Sequence, residues 1–389
     1  MSAEAREGGY LTDVAYVRTY VPDLAPAGLR LVAALNGFSP PPSRAFDYCE
    51  LGFGSGDTLL TLAASLPDSR FVGVDLLPDH VAAARAMAAR GAVGNVTLLE
   101  RDFADLGGED LPGFDYITAH GVLSWVSPDK RRAALDLAAA RLRPGGLLYV
   151  SYNALPGWAA VEPLRRLLLD AGSMAAGDSL ARARHGVRVA SLLRDAGAEY
   201  FRSNPASVTM LETMARMGDH YVAHEYFHGD WVPMYFADVA REMADRGLYY
   251  VGQLPLALNY RDLALPPRLG ELCRSVTNRI EFESLKDYAL NEFFRRDVYI
   301  KGSAACTAEH SHAYLQSTAF TAVTGGAAVA RDLALPHHTL RFAGPLFDAL
   351  LPELERSSAT AAELALRPAL APFGVRAVGD ALMRLLLGP

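Results

Sequence analysis

Short runs of apolar residues recur along the first part of the chain and are separated by segments with the spacing of helices. Apolar runs of this length, bounded by turn-forming or charged residues, predict strands. Strands that alternate with helices predict a parallel sheet covered by helices on both faces. The predicted strands are residues 46–51, 71–74, 96–100, 114–119 and 147–151, and the predicted helices are residues 57–66, 78–90 and 128–142.

Proline and glycine mark the ends of these elements. Pro78 and Pro128 stand where helices begin, because proline lacks an N–H that the first turn leaves unpaired in any case. Pro67 and Gly91 follow the segments that they end. The turn at 144–146 precedes the fifth strand.

The second half of the chain is predominantly helical in its spacing, in pieces such as 187–196 and 234–246. Two further strand candidates follow, at 248–254 and 298–301. We therefore expect the chain to leave the sheet after the fifth strand, form a helical insertion and return to complete the sheet. Residues 306–389 contain amphipathic helices, including 346–356 and 378–387, and predict a small third unit.

Composition narrows the class of protein. The 389 residues are 51% hydrophobic and 21% charged, which excludes a disordered chain and provides for more than one core. The net charge of −7 argues against a nucleic-acid binder, which usually presents a basic face. No run approaches the roughly 18 apolar residues that span a membrane. Three scattered cysteines, Cys49, Cys273 and Cys306, favour a reduced, cytoplasmic location.

In open parallel sheets, ligands bind beyond the carboxyl ends of the strands. The residues that follow the predicted strands are therefore the candidates for a binding site. They are residues 52–56, Asp75, Asp102, His120, Gly121, Tyr152 and Asn153.

The glycine loop after the first strand favours one cofactor over another. A dinucleotide fingerprint would need glycine at the position of Asp57. Glu50, two residues before Gly52, would repel a pyrophosphate and attract an ammonium group. Asp75 is placed to accept hydrogen bonds from two ribose hydroxyls, and Asp102 to accept one from an adenine amino group. A nucleoside with an ammonium tail and no phosphates fits this pattern, and S-adenosyl-L-methionine (SAM) is such a molecule.

This loop, the two acids and the string at 143–146 together resemble the class I SAM-dependent methyltransferases. Strings at 120–126 and 151–158 resemble the members in which this fold is joined to a methyltransferase regulatory domain. Residues 224–227, 233–236 and 247–250 resemble that second domain. The family includes bacterial protein-lysine methyltransferases that act on surface proteins, and the resemblance covers about residues 8–303.

The resemblance implies an α/β fold, a Rossmann-like class I methyltransferase sheet with a helical insertion and a small helical C-terminal unit. The expected units are a SAM-binding methyltransferase domain at 1–157, a helical insertion or regulatory domain at 158–246, a return to the sheet at 247–305 and a C-terminal helical unit at 306–389.

Cofactor contacts are expected from the strand ends and from a lid ahead of the first strand. Aromatic hydroxyls in a lid can bind the SAM carboxylate while their rings exclude water. Phe103 is expected along the adenine ring, and Trp125 beside the adenine or the acceptor channel. The cofactor set is Tyr10, Tyr16, Tyr20, Glu50, Gly52, Phe53, Gly54, Ser55, Gly56, Asp75, Leu76, Asp102, Phe103, His120, Gly121 and Trp125.

Methyl transfer mainly requires a positioned nucleophile shielded from water, since the sulfonium is already activated. A lysine ammonium must also lose a proton. His120 is the candidate to bind or relay that proton, and Tyr152 and Asn153 are expected to face the acceptor channel; capping of strand ends is the alternative role.

The acceptor itself stays open at this point. A protein side chain, with lysine as the first guess, is one hypothesis; a small metabolite methylated at oxygen, nitrogen or carbon is the second; a SAM-binding regulator without turnover is the third. The expected product is S-adenosyl-L-homocysteine (SAH). A methyl acceptor is the expected partner, without nucleic acid or membrane, and a homodimer is left open.

One motif matches a zinc site, but the rest of the sequence lacks the further residues that such a site needs. His224, Glu225 and His228 match the H-E-x-x-H pattern of zinc enzymes. The metzincin extension needs glycine where Trp231 stands, and no third ligand follows. We expect no metal.

Overall fold

The computed structural model describes residues 18–302, 306–322 and 330–387, together with the backbone of a short antiparallel pair between Arg6–Glu7 and Tyr10–Leu11. Predicted lid residue Tyr16 lies outside the described residues, as does the side chain of Tyr10.

A single twisted sheet organises the molecule. In chain order its seven main strands are β1 Asp47–Leu51, β2 Arg70–Asp75, β3 Val96–Glu100, β4 Phe114–Ala119, β5 Leu142–Leu155, β6 Leu248–Gln253 and β7 Phe294–Lys301. Their spatial order is β3-β2-β1-β4-β5-β7-β6. Strands β1 to β5 are parallel to one another, whereas β7 is antiparallel to both β5 and β6.

Helices cover both faces of this sheet. On one face lie α1 (Pro26–Leu35), α2 (Asp57–Ser65) and α3 (Pro78–Arg90), and on the other lie α4 (Pro128–Arg141) and α10 (Phe236–Ala244). The alternation of side chains along β5 shows the two layers. Its apolar residues at 148, 150, 152 and 154 pack with α4 and α10, and those at 147 and 149 pack with α1 to α3.

The insertion after β5 forms a helical unit with its own core. Its buried residues include Trp158, Leu168, Leu211, Tyr226 and Trp231. Met234–Tyr235 then pairs with the end of β5, which returns the chain to the sheet before α10. The helices of this unit are α5 (Glu162–Ser173), α6 (Ser179–Asp195), α7 (Glu199–Ser203), α8 (Pro205–Met217) and α9 (Asp219–Tyr226).

The helices after β6 pack against two different parts of the fold. Two short helices, α11 (Arg261–Ala264) and α12 (Pro267–Leu272), lead to α13 (Arg279–Leu290), which packs against α10. A C-terminal unit then packs Leu350, Val378 and Leu382 against Leu31 and Ala34 of α1. Its helices are α14 (Ala308–Ser317), α15 (Pro345–Arg356), α16 (Ala361–Ala365) and α17 (Gly374–Leu385).

A buried group of charged side chains joins α13 to the sheet. Arg295 of β7 is fully buried and donates to Asp297 at 3.0 Å, to Asp287 at 2.5 Å and to Glu283 at 3.2 Å. Lys286 pairs with Glu283 at 2.6 Å. We call this set the Arg295 cluster. Burial raises the pKa of Glu283, but the nearby cations outweigh burial and lower it to about 2.

The predicted α/β sheet with its helical insertion is confirmed, and several element bounds differ. β7 begins at Phe294 rather than at residue 298, and α6 begins at Ser179 rather than at residue 187. The turn predicted at 144–146 lies within the extended strand β5, where Gly145 has φ of +79°. Among the described residues, no helix is both long and apolar enough to cross a bilayer.

Candidate functional site

A cleft lies at the carboxyl ends of β1 to β4. It encloses ≈1120 Å³ of empty space, including its open mouth. The strand ends supply several of its polar side chains, as expected for a parallel sheet. Its lining includes residues from the glycine loop, the ends of β2 and β3, the segment after β4 and the N-terminal segment: Thr19, Val21, Glu50, Gly52, Phe53, Gly54, Ser55, Asp75, Leu76, His80, Asp102, Phe103, His120, Gly121, Trp125 and Lys130.

The glycine loop owes its shape to left-handed backbone. Gly52, Gly54 and Gly56 have φ of +73°, +57° and +77°, conformations that residues with a Cβ rarely adopt. A Cβ at Gly52 would also lie 2.9 Å from Cγ2 of Val122. The loop therefore presents bare backbone to the cleft, so a ligand can approach it closely. Gly56 does not line the cleft but caps the start of α2.

Asp75 holds the loop in place. Its carboxylate accepts hydrogen bonds from the N–H groups of Gly54 at 2.8 Å and Leu77 at 3.0 Å, and lies 3.3 Å from Nδ1 of His80. A carboxylate has about four acceptor positions, so Asp75 can still accept bonds from a bound ligand.

Glu50 is buried at the base of the cleft with one oxygen unused. Its exposed fraction is 4%, and Oε2 has no hydrogen-bond partner in the described structure. Burial and the neighbouring Asp75 raise the pKa of Glu50 to about 8. A buried carboxylate without a partner is costly, so this position favours a ligand that brings a positive charge.

Asp102 has a partner that the sequence analysis missed. Its Oδ2 lies 2.7 Å from Nζ of Lys130, and its Oδ1 accepts from the N–H of Ala104 at 3.1 Å. Burial raises the pKa of Asp102, but these two contacts outweigh burial and lower it below its ordinary value. Asp102 therefore stays ionised, with capacity left for an amino group.

The N-terminal segment reaches the cleft, although not through the predicted tyrosine. Arg18 donates to Asp57 at 2.6 Å, and the N–H of Val21 donates to Thr58 at 2.9 Å. Thr19 and Val21 line the cleft, whereas Tyr20 is 44% exposed and does not. The prediction that Tyr20 covers the cofactor is therefore not supported by its position; the side chains of its neighbours face inward instead.

His120 lies at the inner end of the cleft beside two hydroxyls. Its Nδ1 is 3.0 Å from the Tyr149 hydroxyl and 3.1 Å from Oγ of Ser151. Burial lowers the pKa of His120 to about 4, so the imidazole is neutral near pH 7. Ser151 also accepts from the N–H of Gly121 at 2.9 Å, which fixes the turn after β4.

A second cavity adjoins the cleft and shares His120, Gly121 and Trp125 with it. Helices α8 and α9 of the insertion form one wall of this cavity, and the beginning of β7 forms another. The further lining residues are Asn153, Trp158, Met210, Thr213, Tyr221, His224, Glu225, Tyr226, His228, Phe293 and Phe294.

Two protein families match separate segments of this chain. Residues 49–148 match the family described as a methyltransferase domain, and residues 218–301 match the family described as a predicted methyltransferase regulatory domain. One segment of the chain is thus similar to methyltransferase domains and another to methyltransferase regulatory domains. The regulatory match covers α9 and α10 together with the last two strands of the sheet, and so includes the Arg295 cluster.

Two curated proteins are similar to this chain over more than two thirds of its length. An uncharacterized protein of Synechocystis sp. is 33% identical over 299 residues, which are 76% of this chain and 59% of that protein. An uncharacterized protein of Rickettsia prowazekii is 27% identical over 274 residues, 69% of this chain and 48% of that protein. The chain thus spans between about half and three-fifths of the length of these curated relatives.

A solved structure shares the fold. PKMT2 from Rickettsia typhi, solved in complex with AdoHcy, superposes with a TM-score of 0.71 at 22% identity. The similarity covers 95% of this chain and 74% of that one. The shared fold therefore includes the helical insertion as well as the sheet.

The structure brings most of the predicted cofactor residues of the methyltransferase domain to one cleft. Those predicted from the sequence that line it are Glu50, Gly52, Phe53, Gly54, Ser55, Asp75, Leu76, Asp102, Phe103, His120, Gly121 and Trp125. Further lining residues that the sequence pattern did not predict include Thr19, Val21, His80 and Lys130, which reach the cleft from other segments.

Tyr152 requires a correction. We expected it to face the acceptor channel together with Asn153, but neighbouring residues of a strand point to opposite faces of the sheet. Asn153 lines the second cavity, whereas Tyr152 is fully buried on the other face and donates its hydroxyl to Asp297 at 2.6 Å. Tyr152 therefore donates to the Arg295 cluster and does not face the second cavity.

The H-E-x-x-H motif is not carried by one helix. His224 lies on α9, which ends at Tyr226, and His228 follows the helix end. Within the described ranges, no group of three or more histidine, cysteine, aspartate or glutamate side chains is arranged to hold a metal ion. Both histidines and Glu225 line the second cavity. The expected absence of a metal stays a prediction.

Glu50 provides a test of the charge at the base of the cleft. With a pKa of about 8 it carries a proton at pH 6.5, where the α-amino group of SAM, which titrates near about 8, is charged. Binding of the ammonium requires the carboxylate form, so we expect SAM binding at pH 6.5 to release about one proton. Calorimetry in buffers of different ionisation enthalpy measures this number.

Glu50→Gln is the matched control, since it keeps the shape of the side chain and cannot ionise. This variant should bind SAM more weakly and release close to no protons. Equal proton release by the variant and the natural protein would show that Glu50 does not meet the ammonium.

Proposed function

We propose that this protein transfers the methyl group of SAM to a protein side chain, with lysine as the first acceptor class. The observation that carries the proposal is the unpartnered, buried carboxylate of Glu50 beneath a glycine loop that presents bare backbone. This arrangement suits a nucleoside with an ammonium tail. It disfavours a dinucleotide, whose pyrophosphate Glu50 would repel.

Under this proposal, different residues of the cleft bind different parts of SAM. Glu50 would hold the SAM ammonium, Asp75 the ribose hydroxyls and Asp102 the adenine amino group, with Phe103 along the ring. SAM supplies an activated methyl group when bound. His120 and Trp125 line both cavities and so stand between cofactor and acceptor. His120 is neutral near pH 7 and can accept a proton or a hydrogen bond.

A protein acceptor is supported by the elements that form the wall of the second cavity and by the family resemblance. The insertion supplies helices α8 and α9 as its wall, so the acceptor side is built by residues outside the methyltransferase domain. The family that the sequence resembles includes bacterial protein-lysine methyltransferases, and PKMT2 from Rickettsia typhi, which shares the fold, is solved in complex with AdoHcy. A small amine would fit the same cavity, and a metabolite is therefore the second candidate.

Incubation of the purified protein with methyl-labelled SAM tests the proposal. One sample contains whole-cell proteins and the other contains extracted metabolites, and mass spectrometry locates the label. We expect label on lysine side chains in the first sample. Label in metabolites alone would establish the second candidate, and binding of SAM without label in either sample would show a regulator without turnover.

A further inference from the structure

We infer that the second cavity binds the ammonium group of a primary alkylamine and that Glu225 is its counter-ion. This inference rests on the proposed methyl transfer and names the acceptor group that the same site takes. The acceptor would enter between α9 and the beginning of β7 and approach the cofactor cleft at His120 and Trp125.

The charge of the cavity selects a cation. Among the described residues that line it, Glu225 is the single carboxylate, and neither lysine nor arginine is present. Glu225 is half-buried, and burial raises its pKa to about 7 with no cation to offset it. An ammonium group placed beside it would supply the missing positive charge.

The walls of the cavity suit an alkylammonium. Six aromatic side chains line it: Trp125, Trp158, Tyr221, Tyr226, Phe293 and Phe294. Trp158 contacts two of the others, since its ring centroid lies 5.8 Å from that of Tyr226 and 5.8 Å from that of Phe293. Aromatic faces attract cations and pack on the methylene groups of a lysine-like chain.

Asn153 adds an independent observation. Its side chain is 2% exposed, lines the cavity, and its Nδ2 has no hydrogen-bond partner in the described structure. A buried amide without a partner is unusual in a folded protein and indicates a position that a ligand satisfies. Because amide oxygen and nitrogen exchange places on rotation, Asn153 can either donate to a ligand or accept from its ammonium.

Glu225 would also prepare the amine for reaction. An alkylammonium has no free electron pair, so it must lose a proton before its nitrogen can attack a methyl group. The proton would pass from nitrogen to a carboxylate oxygen of Glu225, which becomes neutral while the nitrogen keeps the electron pair of the broken N–H bond. A carboxyl group whose pKa lies near 7 can accept and release this proton near neutral pH.

The probes for the test are n-butylammonium, which reproduces the end of a lysine side chain, and n-butanol, which has similar size and no charge. Each is titrated into the protein loaded with SAH, and fluorescence of Trp125 and Trp158 in the cavity wall reports binding. We expect n-butylammonium to bind roughly tenfold more tightly than n-butanol. Equal affinities would overturn the inference.

Two glutamine variants locate the charge. Glu225→Gln should weaken n-butylammonium binding roughly tenfold and leave n-butanol unchanged. Glu212→Gln, exposed on α8 and outside the cavity lining, should change neither. Undiminished n-butylammonium binding by Glu225→Gln would also overturn the inference.

SAH affinity of each variant shows whether the fold is intact. If Glu225→Gln does not fold, Glu225→Asp takes its place, and this variant should keep a preference for n-butylammonium over n-butanol; loss of that preference in a folded Glu225→Asp protein would overturn the inference. The labelling experiment fails separately: n-butylammonium binding without methylated lysine would leave the cavity assignment standing and disprove the proposed acceptor.

Discussion

Replacement of Asp75 by alanine is expected to weaken SAM and SAH binding by about 2–4 kcal/mol, because it removes two charge-assisted hydrogen bonds to the ribose. The same carboxylate also accepts from the N–H groups of Gly54 and Leu77. Loss of the carboxylate therefore also removes a contact that holds the glycine loop in place in the unliganded protein. Isothermal calorimetry with SAH measures the change directly.

Asp79→Ala is the matched control for this experiment. Asp79 lies in the first turn of α3, is exposed and does not line the cleft. Its replacement by alanine removes the same formal charge as Asp75→Ala does. Its SAH affinity should match that of the natural protein. If Asp75→Ala and Asp79→Ala bind SAH alike, the assignment of the cleft to the cofactor is wrong.

Loss of Arg295 should cost the fold about 3–5 kcal/mol of unfolding free energy, since it leaves buried carboxylates without their counter-ion. Arg295 is fully buried and donates to Asp297, Asp287 and Glu283 together. Arg295→Met preserves much of the side-chain volume while removing the charge. Denaturant unfolding of both proteins at neutral pH gives the difference.

Tyr152→Phe is the milder probe of the same cluster. It removes one hydroxyl, the donor to Asp297, and should lower the unfolding free energy by about 1–3 kcal/mol. Methyl transfer per folded molecule should stay normal, because the hydroxyl faces away from both cavities. Slow transfer by a stable Tyr152→Phe protein would restore the catalytic role that its position argues against.

Local sequence predicted the strands and helices whose ends are clearly marked by prolines, glycines or the limits of apolar runs. The structure has α3 at Pro78–Arg90, β3 at Val96–Glu100 and β4 at Phe114–Ala119, with the bounds expected from prolines, glycines and apolar runs. The location of the cleft also followed from the sequence, since it depends on the strand ends alone. These features are determined within a few residues of chain.

Contacts between distant segments could not be predicted in this way. The start of β7 was missed because Arg295 and Asp297 interrupt its apolar pattern. Distant segments supply partners that allow both to be buried: α13 pairs with Arg295, and Tyr152 of β5 donates to Asp297. The ion pair between Lys130 and Asp102 likewise joins two separate segments. The placement of Tyr152 was an error of a different kind. The alternation of side chains along β5 already puts Tyr152 and Asn153 on opposite faces of the sheet.

Strand β7 is the last strand of the main sheet to leave the ribosome, yet it pairs with β5 over seven residue pairs, from Phe294 with Asn153 to Ile300 with Leu147. At a synthesis rate of about 5–20 residues per second, the nascent chain carries β5 with an open edge for on the order of ten seconds. Such an edge is a template for pairing with other chains. A chain cut after residue 157 would keep that edge permanently, so we expect the segment 1–157 on its own to associate with other chains more readily than the whole protein does.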